Sequence, residues 1–559
     1  MTVEQDSFSI GIDLGTTYSS IGYFDVIKGE SVILQDDLGK EQVASWVSLS
    51  QLTTGGFMTI GDGAKNDANS ECVIYDSKRI IGRDEGEVNY EDCDKWPFEV
   101  KGRDNGSAYI ECYNPQTQGI EEFEPEEISG MILKHMYDIA QMRLNNKVIT
   151  NVVVTVPVDF KDKQRNATLL ACKLAEIKNV ELVNEPTAAI VAYKREYPNS
   201  LTEGNRVVVI DFGGGTLDVA CCRIGKDENI QVESSGGDQN LGGNDYDIVM
   251  MDIIKQRVED GVEGYYEKKQ GMTQQEKIIL NKKLIRLKKE AERIKIELSG
   301  KPDAELDLET LLPDSDDYDN DVFEPTITRQ EFEEECKNRG LYERFINKIK
   351  QVTQRKGYKK GNVQLVLFIG GTSKMPRIKQ EVGKLFNIQT FADKNFNPLT
   401  AVAKGAAYLS YLKQETAIGH EVIYDSVPTP IGIEVKGGKF EKLIKDGEQL
   451  PTKGITKRYS TTKLNQSSAK FNIYRGFSEY VNSPEMEFIT TLRIDGIPSG
   501  KAGEQSFEFT IQINKNGVME LSASVVGSDV KSDLSVDVDL SKKEEGEILK
   551  LIQHFQRFY

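Results

Sequence analysis

The sequence has few of the residues on which several kinds of chemistry depend. It contains three histidines, His135, His420 and His554, so histidine-based metal sites and catalytic triads have little to build on. Its seven cysteines include no CxxC spacing, which argues against a zinc site and favours a reducing compartment. We therefore expect neither a zinc site nor a histidine-based catalytic centre, and we predict a cytoplasmic location.

Excess basic charge and long apolar runs are also missing. The formal net charge is −19, which argues against nucleic acid as the main partner because phosphate backbones attract clustered Lys and Arg. No stretch approaches the roughly 18 apolar residues of a membrane helix, and the acidic residues 1–6 do not resemble a secretory signal. A chain of 559 residues exceeds one compact core, so about two to four domains are expected.

Two glycine-rich segments, far apart in the chain, follow one pattern. Ile10-Gly11-Ile12-Asp13-Leu14-Gly15-Thr16-Thr17 and Ile210-Asp211-Phe212-Gly213-Gly214-Gly215-Thr216-Leu217-Asp218 each run from an apolar stretch to an Asp and then through Gly and Thr. Glycines let the backbone approach an anion closely, so that successive N–H groups converge on it. An Asp at a strand end can hold Mg²⁺, mostly through water. The repetition predicts a duplicated lobe that closes on one nucleotide.

The spacing of apolar residues along the sequence changes near His420. Up to about residue 415, apolar strand-like runs alternate with helical patterns, which is typical of an α/β domain. From 428 to 540 short alternating runs dominate, and Asn516-Gly517 between two of them is a strong hairpin signal. These runs predict an antiparallel β domain, with a helical pattern beginning after Ser541.

Six motifs give the chain a specific resemblance. They are Gly11-Ile12-Asp13-Leu14-Gly15-Thr16-Thr17, Asp76-Ser77-Lys78-Arg79-Ile80-Ile81-Gly82-Arg83, Asn184-Glu185-Pro186-Thr187-Ala188-Ala189, Asp211-Phe212-Gly213-Gly214-Gly215-Thr216, Leu241-Gly242-Gly243 and Ile369-Gly370-Gly371-Thr372-Ser373. In this order they resemble the seventy-kilodalton heat-shock chaperone family, as an atypical member whose helical lid is truncated. The Walker-type GxxxxGK[ST] loop is absent, which agrees with the actin-like fold of that family.

The resemblance implies an α/β actin-like ATPase domain with two lobes, followed by an antiparallel β-sandwich. We expect the nucleotide-binding domain over 1–418, an interdomain linker over 419–427 and a peptide-binding β-sandwich over 428–540. The start of a truncated lid is expected over 541–559. The implied cofactors are ATP or ADP with Mg²⁺. The implied partners are unfolded or extended polypeptides, with a J-domain protein and a nucleotide-exchange factor as further candidates and no nucleic acid or membrane. The chain is expected to be a monomer.

The resemblance also assigns catalytic roles. Lys78 is similar to the lysine that positions the attacking water and contacts the γ-phosphate, and Glu185 to the acid that orients this water. Asp13, Asp211 and Glu185 are the implied metal-facing carboxylates, largely through water, and Asp218 is implied to lie near the ions and the water. The other implied nucleotide contacts are Gly15, Thr16, Thr17, Tyr18, Gly213, Gly214, Gly215, Thr216, Gly242, Gly243, Glu292, Lys295, Ser299, Gly370, Gly371, Thr372 and Lys374.

Departures from the family pattern lie around the base and at partner-facing positions. Ile296 and Lys374 stand where the family sandwiches adenine between two arginines. Glu181 replaces an arginine used in contacting J-domain proteins, and Asp159 replaces a nearby tyrosine. In the β domain, the implied peptide-channel positions are Ile433, Tyr459, Ala469, Phe471 and Val518, with Lys436 and Thr462 at the arch over the peptide.

Two functions from different classes follow from these features. Intact Lys78, Glu185, Asp211 and Thr216 favour an ATP-hydrolysing chaperone in which hydrolysis is coupled to peptide affinity. The altered base pocket and Glu181 favour the alternative, a non-hydrolysing ATP-binding co-chaperone or nucleotide-exchange partner of a conventional family member. A sugar or acetate kinase of the same fold would not need the β domain at 428–540.

Overall fold

A computed structural model describes most of the chain. The described residues are 7–49, 58–67, 71–89, 95–115, 117–226, 229–313, 324–388, 392, 395–414, 425–535 and 545–558. Most of the predicted linker over 419–427 therefore lies outside the described residues. The architecture is mixed α/β with several separate sheets.

The strands up to residue 414 are as follows. They are β1 (Ser7–Asp13), β2 (Tyr18–Asp25), β3 (Glu30–Ile33), β4 (Val43–Ala44), β5 (Trp46–Leu49), β6 (Met58–Ile60), β7 (Cys72–Tyr75), β8 (Glu99–Gly102), β9 (Ala108–Asn114), β10 (Gly119–Phe123), β11 (Val148–Val156), β12 (Val180–Asn184), β13 (Arg206–Phe212), β14 (Leu217–Ile224), β15 (Ile230–Asp238), β16 (Asp303–Glu305), β17 (Thr326–Thr328) and β18 (Leu365–Ile369).

The helices of the same region fill the space around these strands. They are α1 (Asp62–Asn66), α2 (Pro125–Arg143), α3 (Asp162–Leu174), α4 (Glu185–Glu196), α5 (Gly243–Gly261), α6 (Gln274–Gly300), α7 (Leu308–Leu311), α8 (Arg329–Asn338), α9 (Leu341–Gln354), α10 (Pro376–Phe386) and α11 (Ala401–Gln414). Local signals explain several starts: α2 and α4 carry Pro in their first turn, and Thr273 caps α6 with Glu276 in a capping box.

The two main sheets repeat one topology. In the first, ordered β12-β11-β1-β2-β3 with β4 beside β2, strand β1 is antiparallel to β2 and parallel to β11. In the second, ordered β15-β14-β13-β18, strand β13 is antiparallel to β14 and parallel to β18. We call these halves lobe I and lobe II. In both lobes, therefore, an Asp at or next to the carboxyl end of the equivalent strand, Asp13 in β1 and Asp211 in β13, leads into a glycine loop.

Helices α4 and α11 join the lobes through a shared apolar core. Ala188 and Ile190 of α4 and Ala406 of α11 pack there with Val207 of β13 and Leu367 of β18. Smaller sheets extend the lobes: β6-β5-β7 and β10-β9-β8 belong to lobe I, and β16-β17 to lobe II. The core shared by the lobes fixes the base of the cleft between them.

The chain from 425 to 535 forms two four-stranded antiparallel sheets, which we call the β domain. Its strands are β19 (Ile431–Val435), β20 (Lys439–Ile444), β21 (Ile455–Ser460), β22 (Ser468–Gly476), β23 (Met486–Asp495), β24 (Ser506–Ile513), β25 (Met519–Val525) and β26 (Lys531–Ser535). The sheets have the orders β20-β19-β22-β23 and β21-β24-β25-β26 and share one apolar core. The alternation along β24, where Phe507, Phe509, Ile511 and Ile513 are all buried, supplies much of that core.

The β domain is docked on lobe I through polar contacts at α3. Asp162 accepts hydrogen bonds from the Met519 amide at 2.9 Å and from Arg475 at 3.0 Å. Arg165 donates to the backbone carbonyl of Asn516 at 3.2 Å, and the Asn516 side chain accepts from the Leu182 amide at 3.1 Å. The Asn516-Gly517 hairpin predicted from the sequence thus lies at the boundary between the two parts.

A C-terminal helix, α12 (Glu545–Gln556), packs on lobe I. Leu551 and Phe555 are buried in the lobe I core. His554 lies between two carboxylates, with Nδ1 2.7 Å from Glu127 Oε1 and Nε2 2.9 Å from Glu121 Oε1, and Arg557 also faces Glu121. Hydrogen bonding to Glu127 raises the pKa of His554 above its ordinary value, although burial opposes the shift.

The raised pKa of His554 predicts that the docking of α12 depends on pH. The protonated imidazole binds Glu121 and Glu127, so its stabilising effect is complete below the ordinary histidine pKa of about 6.5 and is lost as the pH rises through the raised value. We expect the Tm difference between the wild type and His554→Leu to be largest near about pH 6 and to shrink towards about pH 8. Thermal unfolding over this range measures it, and a difference independent of pH would contradict it.

Two further observations concern the cysteines and the possibility of a membrane span. Cys72 of β7 and Cys112 of β9 form a disulfide, a pairing that the cysteine count did not predict. Among the described residues, no helix combines the length and the apolar character that crossing a membrane requires. The cytoplasmic location stays a prediction.

Candidate functional site

A cavity of about 740 Å³ lies in the cleft between the lobes. Every nucleotide-site residue predicted from the sequence lines it except Asp218 and Gly242. Its lining consists of Asp13, Gly15, Thr16, Thr17, Tyr18, Lys40, Glu41, Gln42, Asp62, Lys78, Glu185, Asp211, Gly213, Gly214, Gly215, Thr216, Gly243, Glu292, Lys295, Ile296, Ser299, Gly370, Gly371, Thr372, Lys374, Met375, Asn397, Pro398, Leu399, Thr400 and Val402. The two glycine loops, 13–18 and 212–217, thus open into one space.

The two loops touch each other directly. A Cβ on Gly214 would lie 1.9 Å from Thr17 Oγ1, and one on Gly215 would lie 2.2 Å from Thr16 Oγ1. Only glycine fits at these two positions, because any side chain would separate the loops. Backbone N–H groups and threonine hydroxyls of both lobes therefore converge on a small volume, which suits an anion with several phosphate oxygens.

Lys78 lines the cavity from a short 3₁₀ turn, Ser77–Arg79. Asp76 starts this turn in a left-handed conformation, with φ of 58°, and Asn244 of lobe II donates to its side chain at 2.7 Å. The buried Lys78 Nζ donates to Glu185 Oε1 at 2.5 Å and to the Leu14 carbonyl at 2.6 Å. The ammonium is therefore held beside the first glycine loop.

Asp13 and Asp211 share the floor of the cleft with Glu185, and the charges of Glu185 and Asp211 also act on the nearby Asp218. Burial, and then the charge of Glu185, raises the pKa of Asp13 to about 7, while Lys78 and a hydrogen bond from Thr155 oppose the shift. Burial and neighbouring carboxylates also raise the pKa values of Asp211 and Asp218 well above the usual range. This excess of buried negative charge fits a cation, which would relieve the repulsion. Among the described residues, no three His, Cys, Asp or Glu side chains are placed together so that they could hold a metal ion by themselves.

Asp218 and Gly242 lie just behind the cavity wall. Asp218 accepts hydrogen bonds from Thr216 Oγ1 at 3.0 Å and from the Val158 amide at 2.8 Å. Gly242 precedes α5 and packs against the second glycine loop, where a Cβ would lie 2.5 Å from the Gly214 carbonyl oxygen. Both residues support the loop instead of facing the open space.

Three polar side chains of α6, Glu292, Lys295 and Ser299, also line the cavity. Glu292 accepts from the Tyr18 hydroxyl at 2.9 Å and from Lys65 at 2.6 Å, which ties α6 to lobe I. Lys295 pairs with the buried Asp247 at 2.6 Å. Ser299 donates within its own helix, to the Lys295 carbonyl at 3.3 Å. These groups could bind a ribose and the edge of a base.

A family model described as Hsp70 protein matches residues 9–558. The chain belongs to the Hsp70 family. The resemblance inferred from the six motifs is thereby confirmed. Hsp70 proteins are ATP-dependent chaperones that join an actin-like ATPase to a β-sandwich, and the mixed sheets described above are consistent with that fold.

Within this Hsp70-family site, the faces that would enclose a base are unusual. The Ile296 side chain is 59% exposed and lines the cavity from α6. Lys374 lies across the cavity, and burial, with the nearby charge of Lys379, lowers its pKa. An isoleucine offers apolar contact only, whereas a guanidinium can stack on a purine ring.

Ile296→Arg is therefore expected to tighten ATP binding. A gained cation–π contact of roughly 0.5–2 kcal/mol corresponds to about a 2- to 30-fold lower Kd. Isothermal titration with ATP measures it, with Ile296→Lys as the control for added charge without a planar group. Unchanged or weaker binding by Ile296→Arg would mean that the base is held in another way.

Sequence reasoning missed several residues of the site. Lys65 bridges Tyr18 and Glu292. Arg79 crosses the cleft to Asp245 at 2.6 Å and to the Gly215 carbonyl at 3.1 Å. A signal existed only for Arg79, which adjoins Lys78 in a recognised motif. Lys65 carries no pattern of its own.

Four of the five predicted peptide-channel residues, Ile433, Tyr459, Ala469 and Phe471, lie in or against the β-domain core. Ile433, Phe471 and Val518 are buried, and Tyr459 and Ala469 are partly buried beside the core. Phe471 stacks on Phe509 with ring centroids 4.9 Å apart. The Tyr459 hydroxyl donates to Glu441 at 3.0 Å. Their role in binding a peptide stays a prediction.

Glu181 and Asp159 differ from the expectation that both face a partner surface. Glu181 forms ion pairs with Lys413 of α11 and, at 3.4 Å, with Lys515 of the β domain. Asp159 lies where lobe I meets lobe II, and its Oδ2 accepts from the Gly237 amide of lobe II at 2.7 Å. The Asp159 side chain is therefore turned towards lobe II.

Proposed function

We propose that this chain is an ATP-dependent chaperone that hydrolyses ATP in the inter-lobe cavity and couples hydrolysis to its affinity for extended apolar peptide segments. The observation that carries this proposal is the meeting of two glycine loops with the Lys78–Glu185 pair beside them. Convergent amides suit phosphates, and a buried ammonium next to a carboxylate can hold a water in line with the phosphorus.

The chemistry required of the chain is positioning and charge compensation. Lys78 would contact the γ-phosphate and, with Glu185, orient the attacking water. Thr16, Thr17 and Thr216 would donate to phosphate oxygens. Bound Mg²⁺ would neutralise phosphate charge, and Asp13, Asp211 and Glu185 would hold its hydration shell. The position of these three carboxylates in the lining of one cavity supports this assignment, because a bound cation would offset their mutual repulsion.

The partners follow from the β domain and from Glu181. Extended apolar segments would bind along Ile433, Tyr459, Ala469, Phe471 and Val518 after the aromatic cluster rearranges. A generic J-domain protein would stimulate hydrolysis only weakly, because Glu181 is already paired with two lysines and presents no arginine to an acidic turn. A nucleotide-exchange factor, a monomeric state and a cytoplasmic location complete the proposal.

Single-turnover hydrolysis of radiolabelled ATP by the purified chain, with and without an extended apolar peptide, tests this function. We expect slow hydrolysis that the peptide accelerates. Tight ATP binding without hydrolysis in either condition would overturn the proposal and leave the second candidate, a non-hydrolysing ATP-binding co-chaperone or exchange partner. The exposed Ile296 in the base pocket favours that alternative.

A further inference from the structure

Two crossed hydrogen bonds join the lobes beside Asp218. Asp218 belongs to β14 of lobe II, and its Oδ1 accepts from the Val158 amide of lobe I at 2.8 Å. Asp159, the next residue of lobe I, accepts from the Gly237 amide of lobe II at 2.7 Å. Gly237 is the residue opposite Asp218 in the β14–β15 register. Each lobe therefore supplies one aspartate and one amide to the same small link.

The link leaves little freedom around Asp218. A Cβ on Gly237 would lie 2.9 Å from Asp218 Oδ1 and 2.4 Å from the Leu217 carbonyl oxygen, so strand β15 lies directly against this carboxylate. The Gln239 side chain also donates to the Asp159 carbonyl. A shift of the 157–160 loop relative to β15 would therefore move both the Val158 donor and the wall of the Asp218 site.

Charged groups of lobe II surround the Asp159 carboxylate. Lys348 of α9 and Arg355, just after α9, attract it, while Asp238 and Asp218 repel it. Arg355 also donates to the Ser235 carbonyl at 3.1 Å. The two cations offset the cost of burying this acid, and the Gly237 amide fixes its orientation.

We propose that Asp159 is a positioning residue for ATP hydrolysis: it holds the 157–160 loop against β15 and thereby keeps Asp218 in one orientation. The inference rests on the proposed ATPase activity and goes beyond it, because Asp159 lines no part of the nucleotide cavity. Asp218 needs both its Thr216 and its Val158 donors to keep its side chain fixed, and only the second depends on how the lobes meet.

The test compares Asp159→Ala and Asp159→Asn with the wild type in the full chain. Amide hydrogen exchange reports on Val158 and Gly237, and single-turnover hydrolysis and ATP Kd are measured in parallel. For Asp159→Ala we expect faster exchange at both amides and about tenfold slower hydrolysis, with an ATP Kd within about twofold of the wild type. Asp159→Asn retains an oxygen acceptor for Gly237 and should keep hydrolysis within about threefold of the wild type.

Asp252→Ala is the matched control. Asp252 of lobe II also bridges the lobes, through Lys95 of lobe I, and binds Arg339 at 2.8 Å, but it has no contact with Asp218. It should leave hydrolysis and exchange at Val158 unchanged. A wild type that does not hydrolyse ATP would overturn the proposed function and this inference with it. If the wild type hydrolyses ATP, three results would overturn this inference alone. The first is a wild-type hydrolysis rate or wild-type amide exchange at Val158 in Asp159→Ala. The others are hydrolysis by Asp159→Asn that is as slow as by Asp159→Ala, or an equal loss of hydrolysis in Asp252→Ala.

Discussion

Lys78→Met is expected to lower the single-turnover hydrolysis rate about 100- to 1,000-fold, the range found when one preorganised donor to transition-state charge is removed. Lys78 is buried, and its Nζ is fixed by Glu185 at 2.5 Å and by the Leu14 carbonyl at 2.6 Å. The charge of Lys78 also opposes the rise in the pKa values of Asp13 and Asp211 that burial causes. Loss of this charge therefore favours protonation of the acids proposed to hold the metal shell.

ATP binding by Lys78→Met should change far less than hydrolysis, because the two glycine loops supply phosphate contacts without it. Titration with ATP beside rapid-quench hydrolysis separates the two effects. Lys163→Met is the control: this exposed lysine pairs with Asp84 at 3.1 Å and should behave as the wild type in both measurements. Hydrolysis by Lys78→Met at more than about a tenth of the wild-type rate would remove Lys78 from the chemistry.

Local sequence patterns were informative where each residue acts through its own segment. The Asp13 and Asp211 loops needed only an apolar strand, an acid and glycines to be recognised, and both lie at the inter-lobe cavity. The Asn516-Gly517 hairpin and the alternation of Phe507 and Phe509 likewise follow from turn and strand rules. In these cases the residues that determine the local backbone conformation are also the residues that form the recognisable sequence pattern.

Contacts between distant segments could not be read in this way. Lys65 meets Glu292 and Asp159 meets Gly237 only because the lobes close on each other. An isolated Lys or Asp in a polar stretch carries no signal for such a partner. The same holds for Cys72 and Cys112, which the pairing of β5 with β7 and the packing of β7 on β9 bring together.

The largest expected effect on domain arrangement comes from Glu181→Arg. Glu181 compensates Lys413 and Lys515, and burial already lowers the pKa of Lys413. An arginine at 181 would place three cations together where lobe I meets the β domain. Since a like-charge contact at an interface costs several kcal/mol, we expect the docked state to lose at least about 100-fold in population.

Amide hydrogen exchange at 514–519 and at Leu182 measures this docking, because Asn516 accepts from the Leu182 amide across the boundary. Glu181→Gln removes the charge without adding repulsion and should show an intermediate rise in exchange. Adding Lys515→Glu to Glu181→Arg restores one attractive pair and should recover part of the protection, although Lys413 still faces the new arginine. Wild-type exchange in Glu181→Arg, or no recovery in the double variant, would show that the ion pairs of Glu181 do not hold the β domain. In that case the hydrogen bonds of Asp162 and Arg165 at α3 would be sufficient to dock it.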